Sequence, residues 1–344
     1  IHNFAFYHRL MRDMRAAILR GDFAAFYERN RSELGRSDEE NVVHPVKKRH
    51  LPRVKHLGDY DIVTSPAGHA SIRQISSGEV MHSVNRPSDE AERLYVQQSG
   101  LADRLRQPAP DESELVIWDV GLGAASNAMA ALHCFERACA EHGAATVRPL
   151  RLVSFEIDLD PLRLAAKFAS HFPHLRHGAP QAILEHGRWT HASGRLQWEL
   201  HRGDFLDFLE TAAVPDVIFY DPFSAKTDTG LWTAAVFARI HRHCQAKAAA
   251  LYTYSSATAV RVALLTAGFF VAEGVGTGPR ADTTVAFTRS GGANGHPPAP
   301  KLLGAEWLGR WQRSQAKFPA GLADVEKPAF EKRLAAHPQF SPLA

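Results

Sequence analysis

Three short stretches of this 344-residue sequence hold residue types that do chemistry when they are brought together. The first is Phe219-Tyr220-Asp221-Pro222-Phe223-Ser224-Ala225-Lys226. An apolar run ends in a carboxylate, followed by a proline and an aromatic ring. A carboxylate so placed can orient an amine and accept its proton, and Phe223 can pack on the group that carries the amine. Asp221, Pro222 and Phe223 are therefore the candidate catalytic residues. The same residues also read as a capping aspartate in a proline turn.

The second stretch is Val116-Ile117-Trp118-Asp119-Val120-Gly121-Leu122-Gly123-Ala124-Ala125-Ser126-Asn127. A strand ends, the chain turns through two glycines, and a helix begins with its first N–H groups unpaired. In dinucleotide-binding folds such a turn cradles a pyrophosphate. Here the third glycine of that fingerprint is missing and an acid, Asp119, precedes the turn. An acid repels pyrophosphate and suits a cation, and the sulfonium and ammonium groups of S-adenosylmethionine fit. Taken alone, a Gly-x-Gly is equally a plain turn.

The third stretch is split. Glu156 closes a strand in Val153-Ser154-Phe155-Glu156-Ile157-Asp158, where a carboxylate can accept hydrogen bonds from both ribose hydroxyls. Asp158 can share the adenosine edge or cap the next helix. Asp204, in Arg202-Gly203-Asp204-Phe205, can accept from an adenine amino group, with Phe205 flanking the ring. Asp204 also reads as the N-cap of a short helix, and the two roles are compatible.

These residues need elements to hold them. From Leu115 onward, apolar runs alternate with helical periodicity, which predicts a mostly parallel sheet with helices on both faces. The strands are expected near 115–120, 150–156, 196–200, 214–220, 248–254, 269–273 and 283–288. The last two are joined without a helix, so one should be antiparallel. The fold class is α/β, Rossmann-like and seven-stranded, with N-terminal helical and small β extensions. The expected organisation is a helical segment over 1–40 and a basic linker over 41–60. An accessory β/α segment over 61–110 and the core over 111–290 follow. A Gly/Pro linker, a short helix over 306–317 and an irregular tail complete 291–344. One helix is expected over Ser88–Leu105, with Ser88 as its N-cap. Gly21-Asp22 should break the N-terminal helix in two.

Residues from about Gly78 to Phe287 resemble the methyltransferase domain of the bacterial MnmC-type family, which forms 5-methylaminomethyl-2-thiouridine at the tRNA wobble position. Arg93-Leu94-Tyr95-Val96 and Ser99 to Leu105 are similar to its entry segment. Asp119-Val120-Gly121-Leu122-Gly123 with Asn127 are similar to its cofactor loop, and Ser154-Phe155-Glu156 to its second-strand motif. Asp221 to Lys226, followed by Leu231-Trp232-Thr233, carry the most specific likeness. Pro222 stands where the family has Gly, and Thr227-Asp228 where it has Asn-Pro. Val84-Asn85-Arg86 stands near the place of its aromatic-rich Asp-Tyr-Phe stretch. The oxidase domain that often follows in that family has no counterpart in these residues. The resemblance implies a class I methyltransferase fold, S-adenosylmethionine as cofactor and a tRNA partner. The candidate cofactor contacts are Asp119, Gly121, Gly123, Asn127, Glu156 and Asp221, within the matched motifs, together with Asp158, Asp204 and Phe205 from their strand-end positions. Lys226, Arg280, Lys47, Lys48 and Arg49 would meet RNA phosphates.

Residues 1–26 separately resemble the C-terminal tail of tRNA-guanine transglycosylases, through Ile1-His2-Asn3, Tyr7 to Met11 and Gly21-Asp22-Phe23. The cysteines that join His2 in that family's zinc site are absent here, so no metal is expected. The tail suggests association with another tRNA-modifying domain. A net charge of +3 permits an RNA partner without demanding one. Three cysteines argue for a reducing, cytoplasmic setting rather than a disulfide framework. No apolar run is long enough to cross a membrane. Two other readings stay open. One is an amine methyltransferase acting on a small molecule or protein. The other is a non-catalytic RNA-binding module with the same fold.

Overall fold

The structure is a computed structural model. It describes residues 2–34, 55–65, 68–81, 85–107, 113–277, 281–290, 300–314, 317–319 and 321–340. The chain divides into two compact units, residues 1–53 and 54–344. In the first unit, α1 (His2–Arg20) and α2 (Phe23–Leu34) are separated at Gly21, whose φ of +77° ends the first helix where the sequence places the break.

The second unit begins with a small antiparallel meander of β1 (His56–Leu57), β2 (Tyr60–Thr64) and β3 (Ala70–Gln74). Next comes α3 (Pro87–Ala91), which runs directly into a π-helical turn over Glu92–Gln97, and then α4 (Leu101–Arg106). The single helix expected over 88–105 is thus broken. Gly100 takes φ +62°, which reverses the chain between the π turn and α4. Arg86 rather than Ser88 occupies the N-cap, because Pro87 fits the first helical position, where no N–H is needed.

The core sheet follows. Its chain order is β4 (Leu115–Val120), α5 (Ser126–His142), β5 (Leu150–Glu156), α6 (Asp160–Lys167), α7 (Gly178–His186), β6 (Arg188–Thr190), β7 (Leu196–Arg202) and α8 (Phe205–Phe208). It continues with β8 (Val217–Tyr220), α9 (Ala234–His243), β9 (Ala250–Thr253), α10 (Thr258–Thr266), β10 (Phe270–Val275) and β11 (Asp282–Phe287). The spatial order is β10-β11-β9-β8-β4-β5-β7-β6. Strands β7, β5, β4, β8 and β9 are parallel, and β11 runs antiparallel between β9 and β10, as the missing crossover helix requires. Among the described residues the sheet has eight strands rather than seven. The additional one, β6, is a short edge strand paired antiparallel to β7. All six residues of β4 are buried, which is why its sequence is apolar on both faces.

After the sheet come α11 (Ala305–Arg313) and α12 (Lys327–Ala335). Trp307 and Trp311 are buried in the same apolar cluster as α9 and α10. The tail expected to be irregular contains α12, whose Phe330 and Leu334 are buried in that cluster. Gln339 fastens the tail to the sheet. It accepts from Val271 N at 2.7 Å and donates to Val271 O at 2.7 Å and Leu303 O at 2.8 Å. No helix among the described residues is long and apolar enough to cross a membrane.

Candidate functional site

The carboxyl ends of β4, β5 and β8 open into a cavity of about 390 Å³. Open α/β sheets bind ligands at this edge, where the strand order reverses. Here the reversal falls at β4, with β5 on one side and β8 on the other.

The loop after β4 is built from left-handed residues. Gly121 has φ +89°, Gly123 has φ +51° and Ala125 has φ +61°. Ala125 is the sole non-glycine with positive φ among the described residues, and such strain gathers at functional sites. Gly121 is also a matter of space. A Cβ there would stand 2.7 Å from the main-chain oxygen of Asp221 and 2.9 Å from Pro222 Cα. The glycine therefore lets the β4 loop and the β8 loop touch. From the start of α5, Asn127 donates through Nδ2 to Asp221 Oδ2 at 2.7 Å. The candidate cofactor loop and the candidate catalytic acid are thus one hydrogen-bonded unit. Asn127 is 3% exposed, and its Oδ1 has no partner among the described residues, nor has the buried hydroxyl of Ser126. Both residues line the cavity, so each has an unmet polar atom beside the space where a ligand would lie.

Glu156 ends β5 at the cavity wall. Its Oε2 accepts from Gly123 N at 2.9 Å and its Oε1 from Asp158 N at 3.0 Å. Burial raises its pKa, while the N–H groups of Gly123, Asp158 and Ile157 oppose the rise. Three N–H groups on two oxygens leave the carboxylate with acceptor capacity for a ribose hydroxyl. Asp204 caps α8 by accepting from Leu206 N at 2.9 Å and also lines the cavity, so its two readings coexist. Phe205 is mostly buried, with its ring edge-on to Trp118 and Phe155, and shows its remainder to the cavity.

Two expected contacts sit elsewhere. Asp119 is fully buried behind the loop and is not on the cavity wall. Its Oδ2 accepts from Ser154 Oγ at 2.8 Å, which in turn accepts from Trp198 Nε1 at 2.9 Å. Burial pushes its carboxyl up to about 8, with the Ser154 hydrogen bond opposing and the charges of Asp221 and Glu156 adding. Any pull on a cationic ligand is therefore exerted through the loop rather than by contact. Asp158 is not among the residues that line the cavity: its Oδ1 accepts from Asp160 N at 2.9 Å at the start of α6, and its carboxylate also bonds the Tyr60 hydroxyl, which does line it. Its neighbour Ile157, an exposed apolar side chain, does line the cavity.

The acceptor side is the loop after β8. Tyr254 Oη donates to Pro222 O at 3.2 Å and Trp232 Nε1 to Phe223 O at 2.7 Å. Tyr220 Oη donates to Leu231 O at 2.5 Å. These bonds hold the segment 221–231 against the end of the sheet. Tyr95, from the π-helical turn, is fully buried and lies against Phe219 with ring centroids 5.1 Å apart. Burial, then the nearby Asp221 carboxylate, pushes its phenol well above the ordinary value. Lys226 is exposed on this loop and is not part of the wall. Lys47, Lys48, Arg49 and Arg280 lie outside the described residues.

Tyr60, Glu79, Tyr95, Ser126 and Ile157 line the cavity without having been singled out as site residues in the sequence. Glu79, Glu90, Glu156, Asp204, Asp221 and Asp228 also line it, and no lysine, arginine or histidine is among the described lining residues. Such a wall suits a cation and repels phosphate. No group of three or more His, Cys, Asp or Glu among the described residues is arranged to hold a metal ion.

The similarities to known proteins agree with this geometry. Residues 166–289 match the model of a family described as S-adenosyl-L-methionine-dependent methyltransferase. A relative from Stutzerimonas stutzeri, named tRNA 5-methylaminomethyl-2-thiouridine biosynthesis bifunctional protein MnmC, is 30% identical over 202 residues. That is 56% of this chain and 29% of the relative. The protein of the same name from Pseudomonas putida strain W619 is 30% identical over 245 residues, 68% of this chain and 35% of its own. The chain thus spans about a third of the length of these curated relatives. The crystal structure of MnmC2 from Aquifex aeolicus superposes with a TM-score of 0.57 at 20% identity, covering 81% of this chain and 85% of that one. The fold is the Rossmann-like fold of class I S-adenosylmethionine-dependent methyltransferases, and S-adenosylmethionine is the cofactor of the matched family.

Proposed function

We propose that this chain transfers a methyl group from S-adenosylmethionine to the primary amine of a 5-aminomethyl(-2-thio)uridine at the tRNA wobble position. The observation that carries the reading is the Asn127–Asp221 hydrogen bond, which joins the cofactor loop to a carboxylate at the mouth of an acid-lined cavity. When bound, the cofactor supplies an electrophilic methyl carbon on a sulfonium. The residues present fit it. Gly121 lets the loops after β4 and β8 close on each other beside the cavity, Ser126 and Asn127 offer polar atoms without a partner among the described residues, and Glu156 faces the ribose position. Asp204 and Phe205 flank the adenine position.

The acceptor nitrogen must present a lone pair, so it must lose its proton first. The carbonyls of Pro222 and Phe223 already accept hydrogen bonds from Tyr254 and Trp232. Main-chain carbonyls are too weakly basic to take that proton, so acceptance falls to the Asp221 carboxylate, with Phe223 packing on the acceptor. The rate should rise with pH until the amine is neutral. We assign this chemistry to residues 111–290, with the segments 1–40, 41–60, 61–110 and 291–344 as flanking parts. Lys226, Lys47, Lys48, Arg49 and Arg280 would contact RNA phosphates, and the work would be done in the cytoplasm, alongside a further tRNA-modifying domain.

The test uses undermodified tRNA and isotope-labelled S-adenosylmethionine, followed by mass spectrometry of the nucleosides. The wobble nucleoside should gain one labelled methyl on its side-chain nitrogen. Asp221→Ala should lower turnover by about 10²-fold or more. Normal turnover by that variant would remove the role given to Asp221.

A second reading, methylation of a small-molecule or protein amine, is favoured by the absence of any cationic side chain among the described lining residues. Titration of tRNA binding against salt separates the two. Specific RNA contact should weaken steeply as salt rises, and a flat response would favour the second reading.

A further inference from the structure

The meander that precedes the core ends in a tight return. The Gln74 carbonyl accepts from Gly78 N at 2.9 Å, and Gln74 N donates to Glu79 O at 2.8 Å. Val80 then bridges antiparallel to Arg73, and Met81 N donates to Ile72 O at 2.8 Å. Residues 79–81 are therefore a short stub pinned along β3, which is itself paired to β2. A side chain on that stub has a rigid mount.

Glu79 uses the mount to reach across to the acceptor loop. Its Oε1 accepts from Ser224 N at 2.8 Å. Its Oε2 accepts from Ser224 Oγ at 2.9 Å and from Thr227 Oγ1 at 2.5 Å. All three donors belong to the turn that follows Asp221-Pro222-Phe223, where the Ser224 carbonyl also accepts from the N–H groups of Thr227 and Asp228 at 2.8 Å each. Two residues along the same stub, Met81 meets the cofactor loop. A Cβ on Gly123 would stand 3.1 Å from its sulfur. One short stub thus abuts the loops after β4 and after β8.

We propose that Glu79 is a positioning residue for methyl transfer. Its carboxylate fixes the turn 224–227, and through it the placement of Asp221 and Phe223 relative to the cofactor loop. The accessory meander is therefore part of the acceptor half of the site. Hydrogen bonds to an ionised acceptor are the strong kind, and three converge here on one carboxylate. Misplacement of a reacting group by about 1 Å can cost on the order of 10²-fold in rate. The kinetic part of this proposal rests on the tRNA reading given above.

The experiment has two arms on the full chain. In the first, amide hydrogen exchange is followed in the peptide spanning Asp221–Leu231. Glu79→Ala should speed exchange at least about tenfold there and leave α5 unchanged. Glu79→Gln, which keeps an acceptor for Ser224 N, should restore most of the protection. In the second arm, kinetics are measured on tRNA carrying the 5-aminomethyl-2-thiouridine nucleoside. The turnover of Glu79→Ala should fall about 10²-fold, with the KM for S-adenosylmethionine changing less than threefold. If Glu79→Ala fails to fold, the pair Ser224→Ala with Thr227→Val removes the same side-chain bonds from the opposite partner and should give the same exchange pattern. Unchanged exchange at 221–231, or a loss seen mainly in cofactor affinity, overturns the proposal. A wild-type protein inactive on that tRNA overturns the tRNA reading, while the exchange arm still decides the role of Glu79.

Discussion

Asp119 can act on a cation only if it carries a charge, and its burial makes that conditional on pH. Its carboxyl is pushed up to about 8, above the value of 3.8 that it has when exposed. The folded chain therefore holds a proton there that the unfolded chain has lost. The stability tied to that proton is fully present below the unfolded value, declines as pH rises, and is gone above the folded value. Melting temperatures across the range from about pH 5 to about pH 8 should fall more steeply for the natural sequence than for Asp119→Asn. Parallel slopes would mean that Asp119 is ionised throughout. A carboxylate closing an apolar strand is easy to read from sequence, and Asp221, Glu156 and Asp204 all reach the cavity wall for that reason. Whether such a side chain faces the cavity or the core is another matter. Asp119 is turned inward by its bond to Ser154, a residue of the neighbouring strand that no local pattern pairs with it. Glu79 gave no signal at all, because its partner Ser224 lies 145 residues away and only tertiary structure joins them.

Among the elements, the strands that carry the site and helix α5 were legible, since buried parallel strands are continuous apolar runs and α5 is long and periodic. The break in the 88–105 helix was not, because its helical pattern runs on through Gly100 and only the left-handed backbone there shows the turn. Helix α12 was missed for a related reason. The scattered prolines of the tail suggested irregular chain, yet Pro328 stands in the first turn of α12, where proline is tolerated. The structure gives α12 a definite task, packing on α10 at the back of the sheet. Phe330 is 5% exposed, so Phe330→Ala should destabilise the fold by about 3 kcal/mol. A chemical denaturation curve measures this. Cofactor affinity should be unchanged below the transition, because α12 contributes nothing to the cavity wall. A stability change under about 1 kcal/mol would show that the tail is not an integral part of the fold.

At the scale of the whole molecule, the charge is unevenly placed. The chain carries a net charge of +3, yet the described wall of its cavity carries six acids and no basic side chain. Under the proposed function, nucleic-acid phosphates would be met outside this wall, and only the reacting amine would enter the cavity. The same wall has a bearing on the end of the catalytic cycle. Methyl transfer converts a sulfonium into a neutral thioether, so the spent cofactor forfeits one attraction that drew its precursor in. Two unit charges about 6 Å apart at an effective dielectric constant of about 20 interact by roughly 3 kcal/mol. S-adenosylhomocysteine should therefore bind on the order of tenfold to a hundredfold more weakly than S-adenosylmethionine, a difference that calorimetric titration of each ligand would read directly. Equal affinities would show that the acids do not sense the sulfur. Under the proposed function, the expected gap would limit inhibition by the spent cofactor, so turnover would not depend on its rapid removal by another enzyme.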